Sequence, residues 1–152
     1  FMAFAGEEKG LLGSASYVRK PLWPLDKTVA MLNLDMIGRN HPDSLEIIGA
    51  RLCPDLAKIV RKRNKEIGFL LNESKSKYLD GGSDHASFFK KGIPALFFFT
   101  GLHEDYHQVT DSADLINADK TARVARLAFL TAWTIPNERK HFKIVVPSSE
   151  DN

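Results

Sequence analysis

Residues Ala95-Leu96-Phe97-Phe98-Phe99-Thr100 are the most hydrophobic stretch of the chain, with none of the polar alternation that a half-solvated strand shows. Such a run is satisfied as a strand buried on both faces, so the three phenylalanines are assigned to core rather than to a ligand pocket. Other short apolar runs are predicted as strands: Phe1–Ala5 closed by Gly6, Val29–Leu34 ending at Asp35, and Leu45–Ile48 followed by Gly49. Helical patterns lie between them. Lys9 to Lys20 reads as a helix stopped by Pro21. Pro54 and Asp55 open a helix with Leu56, Ile59, Val60 and Ile67 on one face. Ser83 or Asp84 is expected to cap a short helix reaching Lys91, and Asn117 to cap a last one stopped by Pro136. Residues 75–83 read as a loop, Phe142–Val146 as an edge strand, and 147–152 as a disordered tail beyond a single domain, 1–146.

Strands alternating with helices predict an α/β fold of three layers around a largely parallel sheet. With 43% hydrophobic and 26% charged residues the chain can bury a core. A net charge of +2 offers no nucleic-acid footprint, and the basic run from Lys58 to Lys65 reads as the wet face of a helix. No stretch approaches the roughly 18 apolar residues of a membrane span. Cys53 is alone, which excludes an intramolecular disulfide and a cysteine-built zinc site. The compartment stays open.

In layered α/β folds ligands bind beyond the carboxyl ends of strands. Three expected strands run into metal-type residues: Glu7-Glu8, Asp35, and the loop holding His103, Glu104, Asp105, Tyr106 and His107. Mixed carboxylate and imidazole donors suit a divalent ion, with zinc the commonest match. An acidic residue after a strand is more often a solvated loop residue or a helix cap. Asp35 resists that reading because it closes an apolar run, where a carboxylate must lose water and needs a partner.

The stretches Phe4–Ser14, Asn33–Arg39, Ser83-Asp84-His85 and Tyr106-His107 before Thr110-Asp111 resemble, in order, the motifs of di-zinc aminopeptidases. That family includes bacterial leucyl aminopeptidases and is related to glutamate carboxypeptidase and glutaminyl cyclase. The resemblance covers residues 1 to about 117 and implies a peptide substrate and two zinc ions in the complete enzyme. It implies that Glu7 is the general base, that Glu8 and His107 hold one zinc, and that Asp35 holds the other. Tyr106 would donate to the oxyanion, while Asp84 and His85 would orient the ligands.

The family also uses a further His and a bridging Asp upstream of the glutamate pair, and neither residue type occurs before Glu7. The abrupt apolar beginning is accordingly expected to be a cut inside a larger protein. This chain alone is expected to bind zinc weakly and to hydrolyse little. A missing N-terminal segment or a second copy would cover exposed sheet. Three alternatives stand beside this reading. His103-Glu104-Asp105-Tyr106-His107 matches the His-Glu-x-x-His pattern of single-zinc proteases, which requires a regular helix. Glutaminyl-cyclase-like acyl transfer and a non-catalytic binding module of the same fold are the others. His41 and His141 are expected at the surface.

Overall fold

The computed structural model describes residues 1–73, 81–138 and 141–145. One sheet holds β1 (Met31–Leu34), β2 (Ser44–Ile48), β3 (Leu70–Asn72) and β4 (Ala95–Phe99) in the order β1-β4-β2-β3. β1 and β4 are parallel, as are β2 and β3, while β2 meets β4 antiparallel. Helices α1 (Leu12–Arg19) and α3 (His85–Phe89) pack together on one side. On the other side lie α2 (Pro54–Asn64) and α4 (Ala118–Thr134). This is the expected three-layer α/β arrangement.

All five residues of β4 are buried, and its alternate side chains feed two cores. Leu96 and Phe98 join Leu45, Ile47, Leu56, Val60, Val124 and Leu127 beneath α2 and α4. Phe97 and Phe99 point to the opposite face with Ile48. On that same side Val18 of α1 meets Phe88 and Ile93, with Phe4 and Tyr17 packed against them. A continuous apolar run is therefore used residue by residue, half above the sheet and half below.

The helices follow their sequence signals with specific departures. Asn117 caps α4 as expected, its side chain accepting from Lys120 N at 2.9 Å. α2 buries Leu56, Ile59 and Val60 while Lys58, Arg61, Lys62 and Lys65 stay exposed, so the basic run is a solvated face. This helix stops at Asn64 rather than Ile67. The Asn64 side chain donates to Phe69 O at 2.7 Å and accepts from Phe69 N at 3.0 Å, turning the chain into β3. β3 itself is an element that the apolar pattern left unassigned. α1 begins at Leu12, not Lys9, because Gly10 adopts φ 93° and separates it from a 3-10 turn over Glu7–Lys9. Neither Ser83 nor Asp84 caps α3 through its side chain.

Two expected strands are corrected. Phe1–Ala5 forms no strand: Phe1 and Met2 are exposed, and among the described residues no neighbour pairs with this segment. Strand backbone is stable only where its N–H and C=O groups find a ladder partner. Phe142–Val145 forms none either, making one bond from Val145 N to Leu52 O at 2.7 Å while Phe142 and Ile144 pack on the core. Val146, the expected tail 147–152 and most of the 75–83 loop lie outside the described residues. No described helix is long and apolar enough to cross a membrane.

Phe98 is 0% exposed, so Phe98→Ala should lower the unfolding free energy by about 3–5 kcal/mol in a denaturant titration. Trp133→Ala, at a 67% exposed position of α4, should change it by less than about 0.5 kcal/mol.

Candidate functional site

The parallel register pairs Leu34 of β1 with Phe98 of β4, so the two strands end side by side. Asp35 therefore emerges next to the loop that follows Phe99. Thr100 ties the two exits together, its N–H and its hydroxyl both donating to Met36 O at 3.2 and 2.6 Å. Below them Asn33 donates through Nδ2 to Ser83 Oγ at 2.8 Å, and Ser83 donates on to Asp35 Oδ2 at 2.8 Å. The Asp35 carboxylate is thus oriented by a buried hydroxyl just before α3. Ser83 reads as a helix cap from sequence, yet its hydroxyl is engaged here instead.

Glu7 and Glu8 sit on the 3-10 turn ahead of α1. That turn is seated closely: Gly13 N donates to Ala5 O at 2.8 Å, and a Cβ on Gly13 would lie 2.7 Å from both Ala5 N and Ala5 O. Gly13 is glycine because the backbone before the glutamates occupies the space of a methyl group. From the turn, Glu8 Oε1 reaches His107 Nε2 at 2.9 Å across 99 residues of sequence. Both side chains are more than half exposed, at 68% and 53%, so this pair contributes about 0–1 kcal/mol. His107 stacks on Tyr106 with ring centroids 3.9 Å apart.

Glu7 is the electrostatic centre of the group. Loss of hydration lifts its carboxyl above the ordinary value, and the charges of Glu8, Asp35 and Asp84 push it further in the same direction. Only His107 acts on it in the opposite sense. Asp84 Oδ1 is buried without a hydrogen-bond partner among the described residues. His85, at the start of α3, is 0% exposed and stacks on Phe97 with centroids 4.8 Å apart. Sequence-separated candidates Glu7, Glu8, Asp35, Asp84 and His107 are therefore neighbours in space.

An excess of carboxylate facing one imidazole, with an orphaned carboxylate oxygen beside it, fits a divalent cation in the kind of donor it offers. The number of donors falls short: among the described residues no group of three or more His, Cys, Asp or Glu is placed to hold an ion. Glu8 and His107 form a pair, with Asp35 set apart from it.

The His-Glu-x-x-His pattern is contradicted. Residues 104–107 form turns rather than helix, and His107 has φ 59° in the left-handed region. His103 turns away to Asp111, with Nε2 3.9 Å from Oδ2, in a side chain only 6% exposed. Two histidines in this conformation cannot chelate as a helical i, i+4 pair does. His41 and His141 are exposed, as expected.

Several residues around the site had no role in the sequence reading. Arg39 donates to Asp105 Oδ2 at 2.5 Å and also to Asp111 Oδ1. Asn40 Nδ2 donates to the carbonyls of Thr100, Gly101 and Leu102 at 2.9, 3.1 and 3.0 Å. Lys120 is 1% exposed and donates to Arg39 O at 2.6 Å and His41 O at 2.8 Å, while burial lowers its ammonium pKa. Lys120 alone carried a usable signal, since it falls on the apolar stripe of α4 one turn before Val124.

The model of peptidase family M28 matches residues 1–132. The chain belongs to this family. It is 30% identical over 144 residues to "Probable leucine aminopeptidase" of Arthroderma benhamiae, an overlap of 89% of this chain and 38% of that protein. To aminopeptidase YwaD of Bacillus subtilis it is 28% identical over 155 residues, 95% of this chain and 33% of that protein. Among solved structures it is similar to BSAP, a zinc aminopeptidase from Bacillus subtilis, with TM-score 0.72 and 26% identity over 93% of this chain and 37% of that one. This M28 chain thus spans little more than a third of the length of the curated relatives it matches.

The Arg39 contact sets a pH dependence. Hydrogen bonds from Arg39 and then Thr110 hold the Asp105 carboxyl below its ordinary value of 3.8. A carboxyl depressed on folding contributes stability that is present above 3.8 and is lost as pH falls through the lower folded value. Asp105→Asn should therefore flatten the decline of stability below about pH 4, as read by denaturant titrations across the acid range.

Proposed function

We propose that this chain forms the C-terminal part of the catalytic domain of a zinc aminopeptidase, an enzyme that hydrolyses the N-terminal peptide bond of its substrate. The observation that carries this reading is the Glu8–His107 contact at 2.9 Å beside Glu7 and Asp35, in a chain of the M28 family. Glu8 and His107 would hold one zinc and Asp35 a second. Zinc in such a site polarises the scissile carbonyl and acidifies a water molecule.

The protein's own groups do the rest of the chemistry. Glu7 takes a proton from the attacking water and delivers it to the departing amine nitrogen, so the peptide bond breaks without a covalent enzyme intermediate. Its raised pKa suits this work, because a base closer to neutrality also returns the proton more readily. Tyr106, stacked on His107, donates a hydrogen bond from its hydroxyl to the carbonyl oxygen as negative charge develops there. Asp35 is held by Ser83 Oγ at 2.8 Å, and Asp84 and His85, at the head of α3, would help to orient the ligands.

A histidine and an aspartate supplied by polypeptide outside these 152 residues would complete the donor set. That polypeptide would also cover the open edge of β1 and the exposed Phe1 and Met2.

Two measurements test it. The purified chain, supplied with Zn2+ and an aminoacyl nitroanilide, should release no nitroaniline above the protein-free rate; zinc-dependent turnover would refute the division of ligands. In a polypeptide that adds the two missing donors, Glu7→Gln should lower kcat by about 10²–10⁴-fold with zinc retained. There His107→Ala should lose zinc and His103→Ala should keep it. Equal zinc loss from both variants, or release of a cyclised product in place of a free amino acid, counts against the proposal.

A further inference from the structure

His107 stands in a conformation that its own surroundings do not explain. Its φ of 59° lies in the left-handed region, disfavoured for a residue with a Cβ. Its side chain is 53% exposed, so no core packing holds it, and its contact to Glu8 is solvent-screened. Strained backbone persists only where neighbouring structure over-determines it.

The restraint lies on the other strand exit. Arg39 Nη2 donates to Asp105 two residues before His107, and Nη1 donates to Asp111 four residues after it. One planar guanidinium thus spans both ends of the turn that has His107 near its middle. The Arg39 side chain is only 16% exposed, and its backbone is anchored in turn. Lys120 Nζ holds Arg39 O at 2.6 Å, and Asn40 binds three successive carbonyls from Thr100 to Leu102. We infer that Arg39 is a positioning residue, a two-pronged clamp on Asp105 and Asp111 that sets where His107 presents its imidazole. This deepens the zinc reading above, since it matters for catalysis only if His107 is a ligand. The clamp itself requires no metal. Lysine cannot replace it, because an ammonium is a point charge without the fork that reaches two carboxylates in fixed geometry.

The test uses the metal-free 152-residue chain and the imidazole Hε1 resonance of His107, assigned by its loss in His107→Gln. Stacking on Tyr106 at 3.9 Å should shift this resonance upfield of those from the exposed His41 and His141. Arg39→Met and Arg39→Lys should each lose more than half of that shift, with the methyl resonances of Leu96 and Leu127 unmoved. Asp111→Ala, which removes one prong at a half-exposed position, should give a smaller loss and covers the case in which Arg39→Met fails to fold. An unchanged His107 shift in Arg39→Met or in Asp111→Ala would overturn the clamp, as would full retention in Arg39→Lys. Because no turnover or zinc is involved, these outcomes stand apart from the peptidase tests.

Discussion

The site depends on one pairing, that of β1 with β4. Both strands run the same way and end within a residue of each other, which makes neighbours of Asp35 and the His107 loop although 72 positions separate Asp35 from His107. Backbone hydrogen bonds join the two strands, and hydrophobic burial of β4 fixes the register in which they form. β4 has no solvent-facing side, and its leucine and phenylalanine side chains are shared between two cores, so its place inside the sheet admits little slippage. A shift of one residue would exchange Phe98 with its neighbours across the sheet and carry the loop away from Asp35. The candidate site residues thus owe their proximity to apolar residues, of which Phe97 alone is described in contact with one of them, His85.

Charge around the strand ends is sorted into two groups of opposite character. Between Glu7, Glu8, Asp35 and Asp84 the carboxylates are set against a single imidazole, leaving negative potential uncompensated. A few residues along, Arg39 is matched to Asp105 and Asp111, and Lys120 to backbone carbonyls. The matched group fixes backbone, whereas in the unmatched group Glu7, Asp35 and Asp84 are half-buried and only Glu8 is exposed. Matched and unmatched charges are kept on separate residues even where those residues are close in sequence, as Asp105 and His107 are.

How much of this could be read from sequence follows from which interactions are local. β1, β2, β4 and the Asn117 cap of α4 were legible because apolar runs and capping residues act within a few positions. Phe1–Ala5 and Leu70–Asn72 show the limit. The first has strand composition and no partner, the second weak composition and a partner in β2. Strand identity belongs to a pair, and sequence displays one member at a time. The same holds in the candidate site. Glu7, Glu8, Asp35 and His107 stood out by residue type at chain exits and by resemblance. Ser83 and Arg39 lay within the resembling stretches and Asn40 just beyond one, yet none received a site role, since a hydroxyl, a guanidinium and an amide acquire one only when the opposing group is known.

Gly13 gives the site a mechanical boundary condition. The peptide group of Ala5 rests where a side chain at position 13 would begin, with 2.7 Å available to a carbon atom. The glutamate turn is therefore fitted to the first turn of α1 at the closest approach two backbones allow there. Exposed loops elsewhere can vary in length and composition without disturbing this seat. Position 13 has no such latitude, because even one added carbon would act as a wedge under the paired carboxylates and tilt both together.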